Sequence, residues 1–272
     1  MADTVIICIP TFRRPKMLRR LLDAIALLQT SADVSVLVAD SDAQGRAGLD
    51  LCLALEGYRW PLTAVFAPDR GIAQTRNLLV EYAVMSGASF IAMIDDDEWP
   101  DPHWIDQLLK TADRTHADVV QGRGHLLIRR SALEDMAAPC FDPQFAAPDE
   151  VDRDFFHRLS RAGKHFARGD EALVHSEVPD NGTNLGWLLR QSYSAGNSDM
   201  RVLLKHHPSP PQIARELLKI LPSLLLAPLA AAILGLSPNR RVIPLQKFFR
   251  AAGRLSAMAG RHYREYAVIH GE

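Results

Sequence analysis

Short apolar runs alternate with helical periodicity over the first 115 residues. Residues 5–9 (Val-Ile-Ile-Cys-Ile), 34–39, 63–66 and 90–94 are almost free of charged or strongly polar side chains, the pattern of strands buried on both faces. Between them, Leu18, Leu21, Leu22, Ile25 and Leu28 mark one face of a helix that Pro15 opens. Residues 49–55, 72–85 and 102–112 predict three more helices. Strands alternating with helices predict an α/β fold with a doubly wound, mostly parallel sheet. In such sheets ligands gather outside the carboxyl ends of the strands. Two strands end there in carboxylates: one at Asp40, the other in the run Asp95-Asp96-Asp97-Glu98.

The pattern loosens beyond residue 115. Residues 118–120 and 126–128 predict short strands with a tight connection at 121–125, residues 151–162 a helix, and residues 166–175 a further strand. A Pro/His-rich break at 206–211 sets off a tail, so the domains are expected at 1–205 (halves 1–122 and 123–205) and 206–272. Residues 220–236 carry no charge. A spanning helix needs about 20 apolar residues. This block is shorter, is interrupted by Pro222 and Pro228, and is flanked by Lys219 and Arg240-Arg241. It predicts a segment embedded in one leaflet. Leu245, Phe248, Phe249, Ala252 and Leu255 then follow at helical spacing with Lys247, Arg250 and Arg254 largely off that face, as in an interfacial amphipathic helix. The alternative is a helical hairpin packed on the domain or on a second copy, which would make a homodimer through the tail.

Charge sharpens this division. The 272 residues carry a net charge of −1, but residues 201–272 hold eleven Lys/Arg against Glu216, Glu265 and Glu272. A basic tail on an acidic body suggests contact with a polyanion, and the apolar block favours an anionic membrane surface over nucleic acid. The first residues, Met1-Ala2-Asp3-Thr4, have neither a basic nor an apolar leader character, so no signal peptide is expected. Cys8, Cys52 and Cys140 lack metal-ligand spacing and read as reduced structural thiols.

Four adjacent carboxylates at a strand end repel one another and call for water, protonation or a cation. Hard oxygen donors at alternate positions suit Mg²⁺ or Mn²⁺ holding a diphosphate. Further segments keep company with this one. They are Ile9-Pro10-Thr11-Phe12-Arg13-Arg14-Pro15, Val38-Ala39-Asp40, Arg70-Gly71-Ile72-Ala73-Gln74-Thr75-Arg76-Asn77, Leu127-Ile128-Arg129-Arg130-Ser131-Ala132-Leu133, Phe141-Asp142-Pro143 and Asp152-Arg153-Asp154-Phe155-Phe156. In this order, over roughly residues 4–205, they resemble the family 2 glycosyltransferases of GT-A fold, in particular bacterial enzymes of succinoglycan-type polysaccharide synthesis.

The resemblance implies an inverting transferase that takes a sugar from a nucleotide sugar, most simply a UDP-sugar, to a saccharide or lipid-linked saccharide. Metal falls to Asp97, with Asp95 facing the ribose or the metal's surroundings and Asp96 turned into the fold. Asp40 would read the base, Pro10, Thr11 and Arg13 would line the phosphate turn, and Arg76 and Asn77 would lie near the nucleotide. Asp152 falls on the position of the catalytic base, with Glu150 as the fallback. His175 falls where relatives carry a late histidine on metal or diphosphate. Two departures stand out: Val151 replaces an acidic residue, and the connection at 121–125 is much shorter than in relatives. Both departures favour a non-catalytic nucleotide-sugar-binding or membrane scaffold. A nucleotidyltransferase would show a Gly-rich basic loop after the first strand, which Pro10-Thr11-Phe12 is not. The expected location is the cytoplasmic face of a bacterial inner membrane.

Overall fold

The computed structural model describes residues 3–145, 148–176, 184–233 and 238–261. The first elements are β1 (Thr4–Thr11), α1 (Pro15–Ala26), β2 (Asp33–Asp40), α2 (Ala47–Leu53), β3 (Leu62–Phe66), α3 (Ile72–Ser86), β4 (Phe90–Met93), β5 (Glu98–Pro100) and α4 (Trp104–Thr115). There follow β6 (Val119–Gln121), β7 (Leu126–Arg129), α5 (Arg130–Glu134), α6 (Pro148–Arg161), β8 (Phe166–Arg168), β9 (Val174–Ser176), α7 (Leu185–Lys205), α8 (Pro210–Ile233) and α9 (Pro238–Met258). They form two compact units, one built from Met1–Ala146 and Asp154–Glu177, the other from Ala147–Arg153 and Val178–Ile269.

The first unit centres on a seven-stranded sheet of order β3-β2-β1-β4-β7-β6-β8. β1 runs parallel to β2 and β4, β2 to β3, and β6 to β8. β7 is antiparallel to both neighbours, so the sheet is mixed. The reason is the short connection between β6 and β7: a parallel crossover needs a dozen or more residues, whereas a few suffice for a hairpin. Register sets the working edge. Thr11 pairs with Asp40 and Cys8 with Met93, so the ends of β1, β2 and β4 lie together and the acidic run leaves the sheet beside Thr11. The core is made by the fully buried strand residues Ile7, Ile9, Val34, Val36, Val38, Phe90 and Ile91, by Leu18, Leu21, Leu22 and Ile25 of α1, and by Trp104, Ile105 and Leu108 of α4. Each such aliphatic or aromatic side chain contributes about 1.5–3 kcal/mol when fully buried. Where one strand was expected at 166–175 there are two. The chain turns between them, with Ala172 donating to the Gly169 carbonyl at 3.1 Å, and β9 leaves the main sheet to pair with β5.

The second unit is helical. Gly196 of α7 and Gly253 of α9 mark a close crossing: a Cβ added at either would lie 2.0 Å from the Arg250 carbonyl oxygen or 2.1 Å from that of Tyr193. Only glycine lets the two backbones meet there. α7, which lies before the expected boundary at 205/206, therefore packs with the tail helices. Met200, Ile220, Ala251 and Ala257 form the unit's small core. α8 runs unbroken through Pro222 and Pro228, where an interruption was expected. Proline takes the helical φ and forfeits one backbone hydrogen bond, which this helix tolerates at both positions. Leu218, Leu221, Leu225, Leu226 and Leu229 of α8 are each more than half exposed. Among the described residues no helix is long and apolar enough to cross a membrane. Positions 234–236 of the apolar block and the side chains of Arg240 and Arg241 lie outside the described residues.

Candidate functional site

Beyond β4 the backbone turns sharply through Asp95, Asp96 and Asp97 before β5 starts at Glu98. Each carboxylate has its own surroundings. Arg76, nearly buried on α3, donates to Asp95 Oδ1 at 3.1 Å. Asp96 points into the fold, where the Thr11 hydroxyl donates to Oδ2 at 2.8 Å and Arg14 Nη1 to Oδ1 at 3.3 Å. The same Arg14 nitrogen reaches Asp97 Oδ2 at 3.1 Å. Glu98 accepts from the Asp95 amide at 3.4 Å and is 8% exposed.

Burial dominates the proton affinities. It pushes Asp96 up to about 6 against the pull of Thr11 and Arg14. Burial, and then the neighbouring charge of Asp95, raise Glu98 to about 8. Burial and Asp95 also raise Asp97, while Arg14 opposes them. Burial thus favours the protonated form of Glu98. Gly124, in the β6–β7 hairpin, makes room for it. Its φ is +83°, and a Cβ there would come within 1.7 Å of Glu98 Oε1, so both backbone and space demand glycine.

The residues fit a divalent cation. With Glu98 neutral, three carboxylates face, among the described residues, the two guanidiniums of Arg14 and Arg76 and leave negative charge over. The carboxylates of Asp95 and Asp97, 38% and 43% exposed, are the two that open to solvent. Mg²⁺ is usually held by one or two carboxylates together with substrate phosphates. Among the described residues no three His, Cys, Asp or Glu side chains converge into a cage made by the protein alone. His175, expected as a metal ligand, is placed against Asp101 and Trp99. Its Nε2 lies 2.9 Å from Asp101 Oδ1 and its ring stacks on Trp99, centroids 6.0 Å apart, because β9 pairs Trp99 with His175 directly.

The nucleotide residues divide into open and inward-facing groups. Pro10 and Thr11 are buried in β1, so Thr11 acts through Asp96. Arg13 is 40% exposed at its side chain and pairs with Asp42 at 3.2 Å, with Gln44 accepting from it at 3.1 Å. Asp40 is 1% exposed. It accepts from the amides of Asp42 at 2.9 Å, Gly48 at 2.9 Å and Leu49 at 3.1 Å, so its carboxylate shapes the loop into α2 and does not face the edge of the sheet. Asn77 clamps the Phe141 peptide from both sides: its Nδ2 donates to the Phe141 carbonyl at 2.7 Å, and the Phe141 amide donates back to Oδ1 at 2.8 Å. Arg76 and Asn77 are thus adjacent supports, one for Asp95, the other for the Phe141 segment. Phe141 stacks on Phe155, centroids 4.4 Å apart.

α6 carries Asp152. Val151, Phe155 and Leu159 are all fully buried, a stripe at i, i+4, i+8 that fixes the helix's rotation. Val151, the departure from the acidic pattern, is a member of that stripe. Asp152 sits one residue round and is half-buried. Glu150 is 1% exposed and is gripped by Arg201 Nη1 at 2.6 and 2.7 Å and by the Ser198 hydroxyl at 3.3 Å. The fallback base of the sequence is thus enclosed by Arg201 and Ser198. Arg153 binds Asp199, which also takes Arg250 at 2.7 Å and Arg254 at 3.1 Å. Arg14 and Glu98 were not picked out from the sequence as site residues. Arg14 stood in plain view as the second basic residue of the strand-to-helix turn, and Glu98 as the one member of the acidic run placed to enter a strand.

Residues 6–127 match the family model described as glycosyl transferase family 2. The succinoglycan biosynthesis protein ExoM of Rhizobium meliloti (strain 1021) is 28% identical, over 71% of this chain and 73% of that protein. Among solved structures, the fold is similar to the mannosyltransferase PcManGT of Pyrobaculum calidifontis in complex with GDP-Man and Mn²⁺. The TM-score is 0.68 at 15% identity, covering 96% of this chain and 89% of that one. S. aureus TarS 1-349 in complex with UDP-GlcNAc gives a TM-score of 0.54 at 14% identity, covering 100% and 95%.

Proposed function

We infer from the match of residues 6–127 to the glycosyl transferase family 2 model that the chain is a member of that family and moves a hexose from a nucleotide sugar to a saccharide acceptor in polysaccharide synthesis, with inversion at the transferred carbon. The observation that carries this reading is the acidic turn, where two half-open carboxylates, Asp95 and Asp97, are backed by Arg76 and Arg14. The relative named for succinoglycan biosynthesis supports polysaccharide as the product class, and a neighbour holding GDP-Man with Mn²⁺ supports a cation-dependent donor site.

Asp97 and Asp95 would hold Mg²⁺ or Mn²⁺. When bound, the ion supplies Lewis-acid charge to a leaving nucleoside diphosphate. The chain does the rest. Arg76 fixes Asp95, Thr11 and Arg14 fix Asp96 beneath it, and Asp40 holds the loop on which the base would lie. Arg13, exposed at the first strand-to-helix turn, supplies positive charge where phosphate is favoured. Asp152 takes the proton from the acceptor hydroxyl as it attacks the anomeric carbon. Protonated Glu98 spares the turn a fourth negative charge. In the test, membranes containing the full chain are offered UDP-, GDP- and dTDP-sugars with and without EDTA. Transfer from at least one donor, abolished by EDTA and restored by Mn²⁺, is expected. Nucleotide binding without any transfer would replace the enzyme with a scaffold.

The tail is part of the same proposal. The exposed leucines of α8 lie in the unit that also exposes Lys219, Lys247 and Arg250, so the tail is read as lying on an anionic bilayer at the cytoplasmic face of a bacterial inner membrane. This suits a lipid-linked acceptor. Apolar burial contributes about 0.8 kcal/mol per CH₂, and each cation near the headgroups about 1 kcal/mol. The full chain is expected to pellet with anionic liposomes, and high salt should release only part of it, because the apolar contribution is unscreened. A full chain that stays in the supernatant as a dimer would make the α8 face a contact between two copies.

A further inference from the structure

We propose that Arg14 is the resident counter-ion of the acidic turn: it holds Asp97 in the absence of a divalent cation, gives it up when one binds with the donor, and then serves the donor's diphosphate. The proposal rests on the cation-dependent reading above and adds a residue and an order of events to it.

The two guanidiniums of the turn are not equivalent. Arg76 is 8% exposed at its side chain and serves Asp95 from inside α3. Arg14 is 33% exposed and reaches two carboxylates with one nitrogen, Asp97 at 3.1 Å and Asp96 at 3.3 Å. The two carboxylates differ as well. Asp96 has the Thr11 hydroxyl as a second donor and lies inside the fold. Asp97 is the open one, and among the described residues Arg14 is its one side-chain cation. Asp97 can therefore exchange its partner while Asp96 retains the guanidinium. Charge gives the exchange a direction. Without Arg14, Asp95, Asp96 and Asp97 would face, among the described residues, the guanidinium of Arg76 alone, and the resulting repulsion would open the turn. A divalent cation on Asp97 makes Arg14 redundant there, and two positive groups at one carboxylate repel. Arg14 stands immediately before Pro15, at the start of α1, where amides and cations favour phosphate. A diphosphate brought by the nucleotide is the anion that would take up the displaced charge.

Binding measurements test this without reference to turnover. Mn²⁺ alone, and UDP at saturating Mn²⁺, are titrated calorimetrically into wild type, Arg14→Met and Arg14→Lys full chains. Arg14→Met is expected to bind Mn²⁺ alone about fivefold more tightly, the change equivalent to one partly exposed ion pair, and UDP with Mn²⁺ about fivefold more weakly. Arg14→Lys keeps the charge but lacks the planar fork. It is expected to shift both affinities in the same directions by less, and it carries the test should the methionine variant not fold. If both variants bind Mn²⁺ as wild type does, or more weakly, Arg14 is a structural tie and the proposal falls while the cation reading stands. If no form binds Mn²⁺ although all bind UDP, the cation reading fails and the proposal with it.

Discussion

Asparagine at position 152 is expected to lower turnover by about 10²–10⁴-fold, the usual cost of removing a general base, with nucleotide affinity near wild type. The amide keeps the size of the carboxylate but cannot accept a proton at neutral pH. The helix that presents it should not move. Val151, Phe155 and Leu159 hold its buried stripe, and Glu150 and Arg153 are tied to Arg201 and Asp199 on either side of Asp152. Steady-state kinetics beside UDP calorimetry check the outcome. Glu150→Gln is the informative control. Glu150 is 1% exposed and bound through both oxygens, so its loss should lower stability, leaving a buried guanidinium short of its partner, and should leave the pH dependence of turnover intact. Near-normal turnover in Asp152→Asn, with turnover lost in Glu150→Gln, would move the base to Glu150.

Much of this architecture was legible in the chain because burial on both faces leaves an unbroken apolar run. Residues 5–9, 34–39 and 90–94 could be read as strands for that reason, and the leucines of α1 could be read from their spacing alone. Strand direction was less legible. Nothing in Leu126-Leu127-Ile128 says antiparallel, but the short hairpin between β6 and β7 leaves no room for a crossover, and a count of intervening residues contained that answer. The two strands at 166–176 were merged because neither is long enough to show a period. The tail boundary was drawn at the Pro/His break, yet α7 packs on α9 through Gly196 and Gly253. Pairs of glycines 57 residues apart in sequence carry no local signal of contact.

At the site, residue types were easier to foresee than their orientation. The acidic run was visible as chemistry, and the inward turn of Asp96 was anticipated. That Asp40 and Thr11 would spend their polar atoms on the protein itself was not, because a strand-end carboxylate looks the same in sequence whether it faces a ligand or three backbone amides. Asn77 is a similar case: its two hydrogen bonds go to a peptide 64 residues away. Arg14 and Glu98 needed coordinates, since their meaning lies in which carboxylate each faces and how deeply it is buried.

The second large effect is expected at Asp97, and it bears on the claim that the strand-end turn is a cation-dependent diphosphate site. Asp97→Ala removes one of the two open carboxylates and takes one carboxylate partner from Arg14. Disturbing merely the support of a ligand costs about 10–100-fold in metal affinity, so losing the ligand should cost at least that. Because Asp97 is partly exposed, alanine there leaves no buried cavity and the fold should persist. The decisive measurement is calorimetry of UDP binding to wild type and Asp97→Ala, each with and without Mn²⁺. Wild type is predicted to bind UDP far more tightly when Mn²⁺ is present, and the variant to bind it weakly and equally in both conditions. An Asp97→Ala protein whose UDP affinity responds to Mn²⁺ as strongly as wild type would contradict the account.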